Sequence, residues 1–427
     1  MPLNWPAEPV STRNIERDLD AVAEITAPES GPGITRLAMT AYERDAHELM
    51  ARRLRALDLD VTTDAFGNTI GLLPGTVGDS GSRPKVGSGS HLDSVPNGGR
   101  FDGIIGVVGA VEAARVLAAC PERPFDLVIA IWANEEGARF TQACNGSRAA
   151  AGTLTQDDLD RLRDVDDVSL REAMESCGLR PSELESARWD GDGWRGFVEL
   201  HCEQGGVLES EGLTLGVVDR VSCSSRFRVD FVGVASHSGG TPMHMRRDAR
   251  MAAAEWMVEG DRLVVQSGSE LRVTFGQAVV APNALTTVPG HASVWVDVRD
   301  IDDERMDETV STLQELARQV GERRRCEVIV EQLARIEASD FDDGVIDAVS
   351  RAVESLDRPV RRLFSGASHD AQLIAGMLPT GMIFVPSAGG ISHAPEEETT
   401  VEDVAVGTEA LVRALWLLGT ADARGSS

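Results

Sequence analysis

Lysine is almost missing from this 427-residue chain: Lys85 is the single lysine among 41 basic residues. With that residue placed elsewhere, no G-x-x-x-x-G-K phosphate loop exists. Paired cysteines are missing too. Cys120, Cys144, Cys177, Cys202, Cys223 and Cys326 lie far apart with no C-x-x-C pair, which excludes a thiolate zinc site and a disulfide framework and points to a reducing compartment. No stretch approaches the roughly 20 apolar residues of a membrane span, and Met1 to Asp20 carries early prolines and charges without an apolar h-region. The expectation is a soluble, cytoplasmic protein without a signal peptide.

Positive charge is in short supply. Asp and Glu number 69 against 41 Lys and Arg, a net charge of −28 and a pI near 4.6. A field of that sign repels phosphate backbones and anionic membranes, so nucleic acid and lipid are excluded as partners. Two origins fit an acidic, lysine-poor chain: a high-salt cytoplasm, or a GC-rich genome that writes Arg for Lys. Screening distinguishes them, because the Debye length shrinks from about 10 Å at 0.1 M salt to about 3 Å at 1 M. A salt-adapted chain is expected to show a melting temperature that climbs steeply over that range. A flat profile selects the compositional origin.

What is present is a globular composition, 42% hydrophobic with 26% charged, long enough for two domains. Apolar positions at Tyr42, Ala46, Leu49, Met50, Leu54 and Leu57 predict an amphipathic helix within residues 35–58. Strands are predicted at Val61–Phe66 and Thr69–Leu73 about a Gly67-Asn68 turn. Four short apolar runs, Val86–Asp93, Asp126–Ala133, Phe197–His201 and Met382–Pro386, end in polar or charged residues, and Gly103–Ala119 reads as a buried helix between the first two. Strands alternating with helices predict an α/β sheet, whose sites form at strand carboxyl ends. Residues 216–332 have another rhythm, β-α-β-β-α-β, with Val294, Val296 and Val298 alternating against Ser293, Trp295 and Asp297. That is the order of a ferredoxin-like unit. The expected organisation is thus a mixed-sheet α/β domain of 1–215 and 333–427, with 216–332 inserted as an α+β domain.

Among eight histidines, His91, His201 and His393 stand at predicted strand ends. A lone histidine of this kind is usually a hydrogen-bonded structural residue. Here each has company. On a strand His91 and Asp93 share a face, so Asp93 is placed to accept the second ring N–H of a metal-bound His91. Asp102 directly precedes the buried helix and reads as an N-cap, as a ligand, or as both. Glu135 and Glu136 leave a very apolar strand side by side, costly unless a cation neutralises them. Adjacent residues point apart, which suits one ligand and one base. Rival chemistries fail: no G-x-S-x-G elbow exists, and His47-Glu48 begins like H-E-x-x-H but meets Ala51.

The segments Gly89-Ser90-His91-Leu92-Asp93-Ser94-Val95-Pro96-Asn97-Gly98-Gly99-Arg100-Phe101-Asp102-Gly103, Asn134-Glu135-Glu136-Gly137-Ala138-Arg139-Phe140 and Glu199-Leu200-His201-Cys202-Glu203-Gln204-Gly205 together carry a resemblance. So do Gly233–Gly239, Pro282-Asn283-Ala284, Asp297–Asp300, Ser365–Asp370 and Gly390–His393. In order, over roughly residues 35–400, the set resembles the N-carbamoyl-L-amino-acid hydrolase, β-ureidopropionase and allantoate amidohydrolase group of the dinuclear metallopeptidase superfamily. The resemblance implies that His91 and His201 bind one metal each with a shared partner, that Asp102 bridges, and that Glu136 and His393 complete the second site. Glu135 would be the general base and Asp93 its catalytic neighbour. Gln204 would contact the carbamoyl end, His237 would be a catalytic donor to the developing oxyanion, and Asn283, Arg299 and His369 would bind the substrate. For Arg299 an ion pair with Asp297 or Asp300 competes with a clamp on the substrate carboxylate. Residues 216–332 would act as lid and dimerisation domain of a homodimer.

Two divalent ions per subunit are implied, zinc, manganese or cobalt, since imidazole and carboxylate suit all three. Such a pair acidifies water and polarises a carbonyl, as a poorly electrophilic carbamoyl carbon requires. Histidine at 201, typically a carboxylate in the related peptidases, and Gln204 point to the amidohydrolase branch, against an aminopeptidase or aminoacylase. Gly206 departs from the Pro expected there. A binding module with a decayed site is disfavoured, because no expected ligand is missing.

Overall fold

The computed structural model describes residues 5–28, 31–267 and 271–421. The reading of Met1–Asp20 and the far end of the 333–427 segment fall partly outside them. The chain divides into two compact units, one of 1–219 with 340–427 and one of 220–339. The junctions fall a few residues beyond 216 and 333, because the strands Gly216–Val221 and Glu327–Ile336 run through those points.

In the larger unit the strands Asp126–Trp132, Lys85–His91, Trp194–Cys202 and Thr380–Val385 lie side by side and parallel. Antiparallel strands flank them: Thr69–Leu73 beyond the first and Gly216–Val221 beyond the last. Helices Ile104–Ala118 and Val401–Thr420 pack against the parallel strands and each other. Cover on both faces explains why Asp126–Trp132 and Thr380–Val385 are apolar runs rather than alternating ones. Lys85–His91 instead fills its buried place with glycine and serine, and Ser90 Oγ donates to the buried Glu199 of the next strand at 2.7 Å. Each run stops at the edge of the sheet, and the chain there turns polar: His91, Asn134-Glu135-Glu136, His201 through Gln204, and Pro386 onward. The mixed sheet positions the site.

Two local readings change. The strand near residue 61 ends at Thr63, three residues short of Phe66. The Asp64 carboxylate halts it by accepting the N–H groups of Phe66, Gly67 and Asn68 at 2.8–3.0 Å, which closes a turn. The predicted helix of 35–58 runs from Ala41 to Arg55 and buries His47 among its apolar residues. There His47 Nδ1 meets Thr69 Oγ1 at 2.9 Å. Burial holds the imidazole pKa well below its usual value, helped by the charges of Arg44 and Arg36. The folded state therefore refuses a proton that the unfolded chain accepts below about pH 6.5. Stability contributed by neutral His47 is complete above that pH and is lost as pH falls below it. We expect His47→Gln, compared with the parent in chelator from pH 7 to pH 5, to flatten the decline of urea-unfolding free energy by about 1.4 kcal/mol per pH unit. Parallel slopes would remove His47 as the cause.

The smaller unit is a four-stranded antiparallel sheet in the order Glu327–Ile336, Cys223–Val232, His291–Asp300, Arg272–Ala281. Helices Ala249–Ser267 and Asp303–Arg324 pack on it, and this is the ferredoxin-like order. Phe227, Val229 and Phe231 and the alternating Ala292, Val294, Val296 and Val298 face Trp256, Val310 and Leu313 in one core. All six cysteines are free, and no helix among the described residues is long and apolar enough to cross a membrane.

Candidate metal centre

Among the described residues, ligating atoms gather at the carboxyl ends of the parallel strands into two groups that share one carboxylate, and into a third that shares His201. His91, Asp102 and His201 form the first; Asp102, Glu136 and His393 form the second; the buried Glu199, His201 and His369 form the third. Asp102 Oδ1 lies 3.2 Å from His201 Nε2 and 3.8 Å from His91 Nε2, while Oδ2 lies 3.2 Å from His393 Nε2. His393 Nε2 is also 3.2 Å from Glu136 Oε2. His91 and His201 thus stand in one group rather than one in each, because their parallel strands are neighbours and both rings project from the same edge, 5.9 Å apart.

Asp93 departs from its expected contact. His91 Nδ1 faces the Asp93 carbonyl oxygen at 3.2 Å, with the carboxylate farther away at 3.6 Å. The carboxylate instead accepts the peptide N–H groups of Glu135 and Glu136, at 2.9 and 3.1 Å. It orients the glutamate pair and leaves the ring to the backbone. Asp102 is not a cap either. The helix Ile104–Ala118 is capped by Gly103 at φ +72°, without a side-chain bond, so both Asp102 oxygens stay with the histidines.

Glu135 belongs to none of these groups. Its Oε2 stands 3.7 Å from His91 Nε2, and Oε1 accepts the Cys144 thiol at 3.3 Å. Gln204 reaches the centre, its Nε2 donating to Asp102 Oδ2 at 2.7 Å, with its buried Oε1 lacking a hydrogen-bond partner. His369 lies behind the centre: 1% exposed, it packs edge-on to His201 at 4.5 Å and meets Ser365 Oγ through Nε2 at 2.8 Å. That placement supports the His201 ring and offers no open face.

His237, Asn283 and Arg299 stand in the smaller unit. His237 Nδ1 accepts the N–H groups of Gly239 and Gly240, so the ring proton sits on Nε2. Asn283 Oδ1 accepts from Arg250 at 2.5 Å. Arg299 donates to both Asp297 oxygens at 3.1 Å, the ion pair that competed with the clamp. Burial opposes ionised Asp297, yet Arg299 and Arg226 hold its pKa below the usual range.

Electrostatics explain why these groups need a cation. Burial and the neighbouring carboxylates push Glu135 and Glu136 well above the ordinary carboxyl range. Burial would raise Asp102 as well, but the facing His201 and His393 rings hold it well below. His393, hydrogen-bonded to Asp102 and facing Glu136, is raised to about 9, whereas burial lowers His91 to about 4. A proton on His393 supplies positive charge between two carboxylates, a need that a divalent ion answers more fully. His201 Nε2 is buried without a hydrogen-bond partner, and the donors are all imidazole or carboxylate. The residues fit such ions.

Other contributors left no mark in the sequence. Glu397 stands in an ordinary acidic run, Glu396-Glu397-Glu398, yet its Oε1 accepts from Phe101 N and Asp102 N at 2.9 Å while Oε2 accepts from Ser392. It ties the Asp102 loop to the His393 loop. Only proximity reveals it.

A mixed α/β sheet with imidazole and carboxylate groups sharing one aspartate at its carboxyl edge defines a hydrolase of the metal-dependent α/β class. More particularly, the chain belongs to the peptidase family M20/M25/M40, whose family model matches residues 87–417. It is 37% identical over 404 residues to an N-carbamoyl-L-amino-acid amidohydrolase of Paenarthrobacter aurescens, covering 94% of this chain and 96% of that protein. To the allantoate amidohydrolase of Escherichia coli it is 32% identical over 408 residues, 95% and 97% of the two chains. The crystal structure of a hydantoinase/carbamoylase family amidase from Burkholderia vietnamiensis superposes with a TM-score of 0.85 at 32% identity, covering 97% of this chain and 98% of that one.

Proposed function

We propose that this chain hydrolyses the carbamoyl C–N bond of N-carbamoyl-L-amino acids, giving the amino acid, carbon dioxide and ammonia. The observation that carries the reading is the geometry about Asp102: two ligand groups share it, and an independent carboxylate, Glu135, stands beside them. His91, Asp102 and His201 would hold one divalent ion and Asp102, Glu136 and His393 a second, zinc, manganese or cobalt. Such ions, when bound, polarise a carbonyl and acidify water. Glu135, its pKa raised by burial, takes a proton from the attacking water and delivers it to the leaving nitrogen. Gln204 presents its amide to the carbamoyl end. From the smaller unit, His237 Nε2–H and Asn283 offer donors to the substrate and Arg299 a carboxylate clamp shared with Asp297; that unit serves as lid and homodimer contact. Six free thiols support a cytoplasmic setting.

Allantoate is the second reading, favoured by the likeness to the E. coli enzyme. Ammonia release from a panel of N-carbamoyl-L-amino acids, β-ureidopropionate, allantoate and dipeptides, with Mn, Co and Zn supplied in turn, tests both. Turnover of the carbamoyl amino acids foremost is expected. Preference for allantoate selects the second reading, and cleavage of dipeptides alone overturns both.

A further inference from the structure

The segment that carries the glutamate pair leaves its strand in an unusual way. Four consecutive peptide N–H groups, those of Ala133, Asn134, Glu135 and Glu136, are all accepted by side chains. Asn68 Oδ1 takes the first at 3.0 Å, Glu43 Oε1 the second at 2.9 Å, and the two Asp93 oxygens the third and fourth. On the other side, the Asn134 and Glu135 carbonyls accept from Asn145 N and Cys144 N. Asn134 is left-handed, φ +58°, and that single reversal sends Glu135 and Glu136 toward the centre instead of onward along the strand.

Glu43 reaches this turn from a remote place. It stands in the first turn of the helix Ala41–Arg55, which lacks the second histidine of H-E-x-x-H. An ordinary explanation is helix capping, where a glutamate at this position bonds the N-terminal backbone. Capping accounts for one oxygen only: Oε2 accepts from Met39 N at 2.7 Å. It leaves unexplained why Oε1 accepts from Asn134, 91 positions away, and why the carboxylate is fully buried. Arg44 Nη2, 3.5 Å from Oε2, offsets part of the cost of burying the charge, but it faces the capping oxygen and not the one that reaches Asn134.

We propose that Glu43 is a positioning residue for the Glu135–Glu136 pair, holding the Asn134 turn from the opposite side to Asp93. The proposal rests on the roles given to Glu135 and Glu136 above. Both Glu43 oxygens must accept, since each faces an N–H. An amide in its place keeps the shape but turns an NH₂ donor on one of those donors, which releases the turn. Displacements of about 1 Å at a reacting group cost roughly 10²-fold, and loss of an outer support typically costs 10–100-fold in activity or metal affinity.

The test is Glu43→Gln, with Glu43→Asp, which keeps the charge but shortens the reach, as a second variant should the first fail to fold. Kinetics on N-carbamoyl amino acids are measured per metal-loaded, folded site, with metal content from atomic emission. We expect kcat per loaded site to fall about 10–100-fold with KM within about twofold of the parent. A helix cap alone would lower the melting temperature and leave kcat per loaded site unchanged; that result in either folded variant overturns the proposal. Glu135→Gln in parallel separates the two layers. If it is inactive while Glu43→Gln is fully active, only the positioning role falls. If Glu135→Gln keeps full activity, the reading of the base itself falls.

Discussion

Glu135→Gln is expected to keep its bound metal and lose kcat by roughly 10²–10⁴-fold, the usual share of a general acid–base group. The substitution conserves shape and removes only the ability to take a proton. Glu135 belongs to neither ligand group, so its amide leaves Asp102, His91, His201, Glu136 and His393 where they are. Asp102→Ala provides the contrast. Both groups depend on that carboxylate, so it should lose metal and activity together. Metal analysis after gel filtration, paired with ammonia release, checks both variants. Equal metal loss in the two would undo the assignment of Glu135.

Gly103→Ala should abolish most activity without replacing a ligand. A Cβ at Gly103 would lie 2.4 Å from both Cε1 and Nε2 of the His91 ring, far inside contact distance. The ring cannot retreat easily, since His91 ends a buried strand and its Nδ1 is held by the Asp93 carbonyl. The Gly103 φ of +72° with ψ −41° lies where a residue with a side chain is rarely found, which adds backbone strain of about 1–3 kcal/mol. Gly178 is the control for a positive φ without a clash: its φ is +73°, and a Cβ there meets nothing within 4 Å. Gly178→Ala is therefore expected to lower the melting temperature slightly while metal affinity and kcat stay at parental values. Gly103→Ala is expected to weaken metal binding by 10–100-fold, the range typical of a disturbed ligand environment. Metal titration of the chelator-treated proteins gives the comparison. Matching losses in the two variants would show that the positive φ, and not the His91 contact, is responsible.

These outcomes trace back to features of different origin. Short runs of mostly apolar or small residues that stop at His91, Asn134, His201 and Pro386 were legible as strand exits, because a chain covered on both faces carries few charges until it emerges. The alternating valines before Arg299 likewise marked a sheet with one covered face. Local periodicity carries such information, since it reflects only which side of an element meets the core. What each polar residue touches after the chain emerges is a different matter. The placing of His91 and His201 in one group depended on which strands became neighbours. The Asp93 carboxylate went to two peptide N–H groups rather than to the ring, because the loop at Glu135 folds back beneath it.

Glu43 and Glu397 show the limit most plainly. Each stands in surroundings that read as an ordinary helix start or a solvated acidic run, and each finds its partners far along the chain. Sequence by itself determined the α/β class, the inserted ferredoxin-like order and the polar residues at the strand ends, because these follow from burial repeated over neighbouring positions. Tertiary structure alone decided which carboxylates gather with the histidines, which hold the backbone and which stand outside the ligand groups. Those roles rest on distances of about 3 Å between residues remote in sequence, and a hydrogen bond at that range leaves no periodic trace in either partner's surroundings.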